Sequence, residues 1–84
     1  MKTRILTPEK KIFEGEVEVA TIPTRLGYIS ILSNHSALVS AISPGEIKIK
    51  TKEGEKLFIN EGGVVQTINN ETNILLVKCS EKSQ

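Results

Sequence analysis

Aspartate and tryptophan are absent from this 84-residue chain, and histidine and cysteine occur once each. The missing aspartate restricts catalysis first. A nucleophile, its base and the acid that orients the base would have to be built with glutamate, and no glutamate neighbours His35. His35 and Cys79 lie far apart in the chain and match no zinc-ligand spacing. A lone cysteine has no partner for an internal disulfide, so a reducing compartment is the simpler assumption, and its place at the end of ILLVKC reads as a small apolar strand residue. No glycine-rich loop followed by lysine opens a helix, which removes the phosphate cradle. Phe13, Tyr28 and Phe58 are the only aromatics and the formal charge is +1, so neither stacking platforms nor a basic face is available for nucleic acid. The run Ile74 to Val77 falls far short of the ~20 apolar residues that cross a bilayer, and the MKTRILTPEKK start lacks the apolar centre of a signal peptide.

What is present is a sheet pattern. A hydrophobic share of 38% suffices for one core, and a chain of this size buries roughly 60–65% of its unfolded surface, so a single domain is expected. No segment keeps apolar spacing of three and four over several turns, whereas several alternate with a period of two. Glu46 to Lys50 is the clearest: Ile47 and Ile49 face inward, while Glu46, Lys48 and Lys50 face water. Lys52-Glu53-Gly54-Glu55 reads as a hairpin turn into Leu57-Phe58-Ile59, with glycine where positive φ is needed. Glu16 to Ile22 reads as one strand ending at Pro23, with Glu14, Glu16 and Glu18 decorating an exposed face. Turns at Thr7-Pro8-Glu9, Ser43-Pro44-Gly45 and Asn69-Asn70-Glu71 recur at the roughly 8–12 residue spacing of small sandwiches and barrels. Gly62-Gly63 marks a bulge or corner where a strand changes sheets. The small residues of His35 to Ile42 permit a short helix or a strand, and the β-branched content and neighbouring Pro44 favour strand. The expected fold is all-β, a flattened antiparallel sandwich or barrel of about ten short strands over residues 1–79, followed by a polar tail at 80–84.

These features leave a β domain with a polar, glycine-punctuated loop region from Thr24 to Ser36 and no assembled active site. Its readings are a docking module, a small nucleic-acid-binding barrel, or an enzyme or carrier domain. The last would need an acceptor lysine in a fixed hairpin motif, which Lys52-Glu53-Gly54-Glu55-Lys56 does not offer.

The ordered pieces Thr7-Pro8, Phe13-Glu14-Gly15-Glu16-Val17, Ile22-Pro23-Thr24, Gly27 through Leu38, Pro44-Gly45-Glu46-Ile47-Lys48-Ile49, Glu61-Gly62-Gly63-Val64-Val65 and Asn73 through Val77 resemble the epsilon-subunit family of F-type ATP synthases. The resemblance implies a non-catalytic rotor part without cofactor or metal, on the cytoplasmic face of the bacterial inner membrane and only peripherally attached to it. Its implied partners are the gamma subunit, the c-ring and the wider assembly of alpha and beta subunits, with no nucleic acid among them. It implies a gamma interface at Asn34, His35, Ser36 and Leu38, a ring contact at Leu26, Gly27 and Tyr28, and structural glycines at Gly15, Gly45, Gly62 and Gly63. Where the family often has glycine at Ser30 and proline at Ser33 and Ala37, this chain implies a less rigid loop. Tyr28 stands where the family is frequently acidic, which implies an amphipathic contact in place of a charge pair. Longer members carry a carboxy-terminal helical hairpin that binds ATP or inhibits hydrolysis. Gln84 falls before such a hairpin could begin, so the short form is expected to couple without gating.

Overall fold

The computed structural model describes residues 1–82. Ten strands follow one another: β1 Lys2–Leu6, β2 Lys11–Glu16, β3 Val19–Thr24, β4 Gly27–Leu32, β5 Leu38–Ile42, β6 Gly45–Thr51, β7 Gly54–Asn60, β8 Gly63–Ile68, β9 Glu71–Leu76 and β10 Cys79–Lys82. They form two five-stranded sheets, ordered β2-β1-β9-β8-β5 and β10-β7-β6-β3-β4. The all-β sandwich expected from the two-residue alternation is therefore what the chain adopts.

The core is the inner face of both sheets. Ile5, Ile22, Ile31, Ile47, Ile49, Val65 and Ile74 are fully buried, and the Phe58 ring meets Phe13 edge-on at 6.1 Å. Each such side chain removed from water contributes about 2 kcal/mol before conformational entropy is set against it. In the first sheet the pairing carries one row straight across the inner face, from Ser40 through Val65, Ile74 and Ile5 to Phe13. Buried polar atoms are matched: the Thr67 and Thr72 hydroxyls bond each other, and Asn60 donates to the carbonyls of Gly45 and Ser43 at 2.9 and 3.4 Å. That suits a small core, where an unmatched buried polar group would cost about 1–3 kcal/mol.

Several details depart from the sequence reading. The Thr24 to Ser36 stretch expected as loop contains β4, and the strand expected from His35 begins only at Leu38. Glu16 to Ile22 is not one strand: β2 ends at Glu16, and Val17 and Glu18 carry the chain from the first sheet to the second. Their amides donate instead to Met1 O at 2.9 Å and Lys50 O at 2.8 Å, so the break leaves no orphaned donor. Pro23 lies inside β3. Pairing with β6 has ended at Thr21, and the Pro23 carbonyl, on the side where an N–H would point, accepts the Ser43 amide at 2.9 Å. The pairing is not wholly antiparallel, because β1 and β9 run parallel. The expected polar tail is also shorter, since Ser80, Glu81 and Lys82 belong to β10 and pair with Ile59, Phe58 and Leu57; Ser83 and Gln84 lie outside the described residues.

Gly62 is the corner the sequence marks. Its φ of 114° belongs to the region that glycine adopts without strain, and the chain passes there from β7 in the second sheet to β8 in the first. Gly63 has a different requirement: a Cβ at that position would lie 2.0 Å from the Leu75 carbonyl oxygen. A Cβ at Gly45 would meet Pro23 at 3.4 Å and the Tyr28 hydroxyl at 3.8 Å, and one at Gly15 would meet the Phe13 ring at 3.4 Å.

Candidate functional site: two ends and one outer face

Successive strands alternate in direction, so the connections collect at two ends of the sandwich. One end carries the β3–β4 turn, and the other carries the β4–β5 loop. These are the two stretches that the sequence singles out, and β4 separates them by its six residues, about 20 Å of extended chain. The structure thus places Leu26, Gly27 and Tyr28 apart from Asn34, His35 and Ser36; they form two sites.

At the first end, Thr24 organises the tip. Its hydroxyl donates to Gly27 O at 2.6 Å and accepts from Leu26 N at 3.2 Å, and Gly27 takes a φ of 118°. This pushes Leu26 fully into solvent, with relative exposure of 100%, next to Tyr28 at 62%. Arg25 is exposed as well. A leucine with no intramolecular contact surface contributes nothing to the fold and is available to a partner.

At the second end, His35 donates its amide to Leu32 O at 3.1 Å and holds Nδ1 2.8 Å from Ser36 O. Asn34 adopts a φ of 65°, and its amide donates to Asn70 Oδ1 at 2.9 Å. Ser33 Oγ accepts from the Met1 ammonium at 3.3 Å. The loop is tethered on both sides, so the absence of proline at Ser33 and Ala37 is compensated by hydrogen bonds. Asn34, His35 and Ser36 are exposed. Leu38 is not available as the sequence reading expects: it pairs with buried Thr67 and packs against the core, and the strand's alternation turns Val39 outward, 69% exposed.

β5 continues this loop along the edge of the first sheet, whose outer face the sequence reading missed. Register aligns Ala41, Val64, Leu75 and Leu6 side by side across four strands. With strands ~4.8 Å apart this apolar stripe runs for about 14 Å. Val39 and Val77, 69% and 68% exposed, flank it. Each outward residue was readable from alternation, but their adjacency was not.

Toward β2 the same face turns charged. Glu14 lies among Lys2, Arg4 and Lys11, with Arg4 Nε 3.1 Å and Lys2 Nζ 3.7 Å from Glu14 Oε2, and Arg4 also reaches Glu71 at 3.6 Å. The Lys11 hydrogen bond, followed by its charge and then by Arg4 and Lys2, holds the Glu14 carboxyl below its ordinary range. Cys79 is half-buried at the start of β10, and burial pushes its thiol up, away from the reactive thiolate. Among the described residues no group of three or more His, Cys, Asp or Glu side chains could hold a metal ion, and no helix is long and apolar enough to cross a membrane.

The described residues thus form a β-sandwich domain with two exposed ends and an apolar outer face bordered by charge. Residues 1–81 match the family described as the ATP synthase delta/epsilon chain β-sandwich domain, and the chain belongs to that family. It is 35% identical over 74 residues to the ATP synthase epsilon chain of Endomicrobium trichonymphae, covering 88% of this chain and 54% of the relative. It is 38% identical over 82 residues to that of Clostridium novyi, covering 95% and 61%. The chain thus spans little more than half the length of these relatives. In fold it is similar to a chain of the Euglena gracilis mitochondrial ATP synthase, with a TM-score of 0.88, 21% identity and coverage of 94% of this chain and 51% of that one. A chain of the Tetrahymena thermophila mitochondrial ATP synthase central stalk and c-ring gives 0.78 at 24% identity, with coverage of 95% and 65%.

Proposed function

We propose that this chain is the β-sandwich of a non-catalytic central-stalk subunit of an F-type ATP synthase, docking the gamma subunit onto the c-ring and so coupling proton-driven rotation to ATP synthesis. The observation that carries the reading is the apolar stripe Ala41-Val64-Leu75-Leu6, continuous through β5 with the His35 loop. A solvated sheet face has no reason to align four apolar side chains in one row, and the row supplies the apolar centre that a stable interface needs inside a polar rim. Gamma covers this face and the Asn34-His35-Ser36 loop. The Leu26-Gly27-Tyr28 tip, at the opposite end of β4, rests on the ring. A rotor part that bridges two bodies needs two separated contacts on one rigid frame, and two exposed ends separated by the length of β4 support that reading. Bacterial relatives support a place on the cytoplasmic face of the inner membrane, held there only through the complex. The chain takes no cofactor and has no active site of its own; torque passes through packing.

The test is binding of this chain to purified gamma subunit. His35→Asp introduces a charge into a contact that becomes desolvated, and is expected to weaken binding without changing the melting temperature. Normal binding by that variant and by Val64→Glu together would remove the assignment of the gamma face. Titration with labelled oligonucleotide at low salt covers the nucleic-acid alternative: micromolar affinity falling steeply with salt would overturn the docking reading.

A further inference from the structure

We infer that Asn70 is a positioning residue that holds the β4–β5 loop in the shape in which His35 meets its partner, an inference that rests on the docking reading above. Asn69 and Asn70, with φ of 52° and 62°, form the tight β8–β9 turn, where asparagine tolerates the left-handed region better than other non-glycine residues. Asn70 faces two ways from that turn. Its backbone carbonyl accepts the Lys2 amide at 3.3 Å, tying the turn to β1. Its side-chain Oδ1 accepts the amide of Asn34, 36 residues away, at 2.9 Å.

The link has a conformational consequence. Asn34 sits in the left-handed region immediately before His35, a costly place for the backbone of a loop that lacks proline and is otherwise held by the Ser33 hydroxyl on the Met1 ammonium. The Asn70 acceptor stabilises that conformer from outside the loop, and the His35 amide completes the turn on Leu32 O. Without Asn70 the loop regains freedom that docking must remove again, and binding weakens by that entropy. The only signal in the sequence is the Asn69-Asn70 pair, which reads as turn chemistry alone.

The experiment compares Asn70→Gly, which keeps the positive φ and removes the acceptor, with Asn70→Asp, which keeps an acceptor. Two quantities are read: hydrogen exchange of the Asn34 amide by NMR, and affinity for purified gamma. Loss of one hydrogen bond predicts that Asn70→Gly accelerates Asn34 exchange and weakens gamma binding, each by about fivefold. Asn70→Asp restores both to near the parent values. Unchanged Asn34 exchange in Asn70→Gly overturns the inference. So does faster exchange with unaltered gamma affinity, provided that His35→Asp does weaken binding. Should His35→Asp leave affinity unaltered too, it is the docking reading of this loop that fails.

Discussion

The two outer faces of the sandwich obey the same alternation and end in opposite surfaces. On the second sheet, register places Glu46 beside Ile59 and Lys48 beside Leu57 and Thr21, and Thr21 beside Ser30, so polar residues interrupt the outer face, and a directly apposed apolar pair, Val19 with Leu32, lies at the β3–β4 edge. On the first, Ala41, Val64, Leu75 and Leu6 adjoin one another, and the charges are drawn off to the Glu14 corner. Isolated exposed apolar side chains are ordinary on soluble proteins; a contiguous row is not. The second sheet thus offers a mixed outer surface, whereas the first offers the contiguous apolar row on which the docking proposal rests.

The largest effect is expected at the seam that connects the two sheets. Gly63→Ala would place a methyl 2.0 Å from the Leu75 carbonyl oxygen and force β8 away from β9, the two strands that carry the middle of the apolar row. A loss of roughly 3 kcal/mol is expected in denaturant unfolding, and a midpoint unmoved by this change would mean that the strands part easily. Gly62→Val, with its φ of 114°, should follow at about 1–3 kcal/mol.

Substitutions on the two faces are expected to differ in their effect on gamma binding. Leu75→Glu on the first sheet should weaken gamma binding at least tenfold, about 1.4 kcal/mol or more, whereas Ile59→Glu on the second should leave it within twofold, although both leucine and isoleucine are similarly exposed at 44% and 42%. Equal effects in the two variants would erase the distinction between the faces. Leu26→Ser sharpens it at the end of the sandwich: with no side-chain burial to lose, its melting temperature should stay unchanged while attachment to isolated c-ring falls.

The smallest effect concerns the charged corner. Because the folded Glu14 pKa lies below its ordinary value of 4.5, the cluster's contribution is present above that value and is lost as pH falls through the lowered one. The stability difference between the parent and Glu14→Gln should therefore be small near neutrality, shrink further in acid, and be screened by salt. A difference that grows on acidification would contradict the assignment of Lys11, Arg4 and Lys2 as its cause.

Much of this architecture is legible in the sequence. Ile47 and Ile49 inward, the Gly54 hairpin, Phe58 in the core and the Gly62 corner all follow from residue type and a period of two, which depend only on neighbours along the chain. The break at Val17-Glu18 was not legible, because the alternation of Glu16 to Ile22 continues unperturbed across it while the amides change partners to Met1 and Lys50.

Alternation determined which side chains leave each strand outward, and turn chemistry determined where the chain reverses. Strand order and register belong to the tertiary structure alone: β1 lies parallel to β9, with almost the whole chain between them, and only that pairing sets Leu6 beside Leu75. The same holds for Asn70 and Asn34, and for Val39 taking the outward place that was expected of Leu38. The physical reason is that a side chain's direction is settled by its own backbone, whereas its neighbours across a sheet are settled by which distant strands bury their inner faces together, a global competition for one small core.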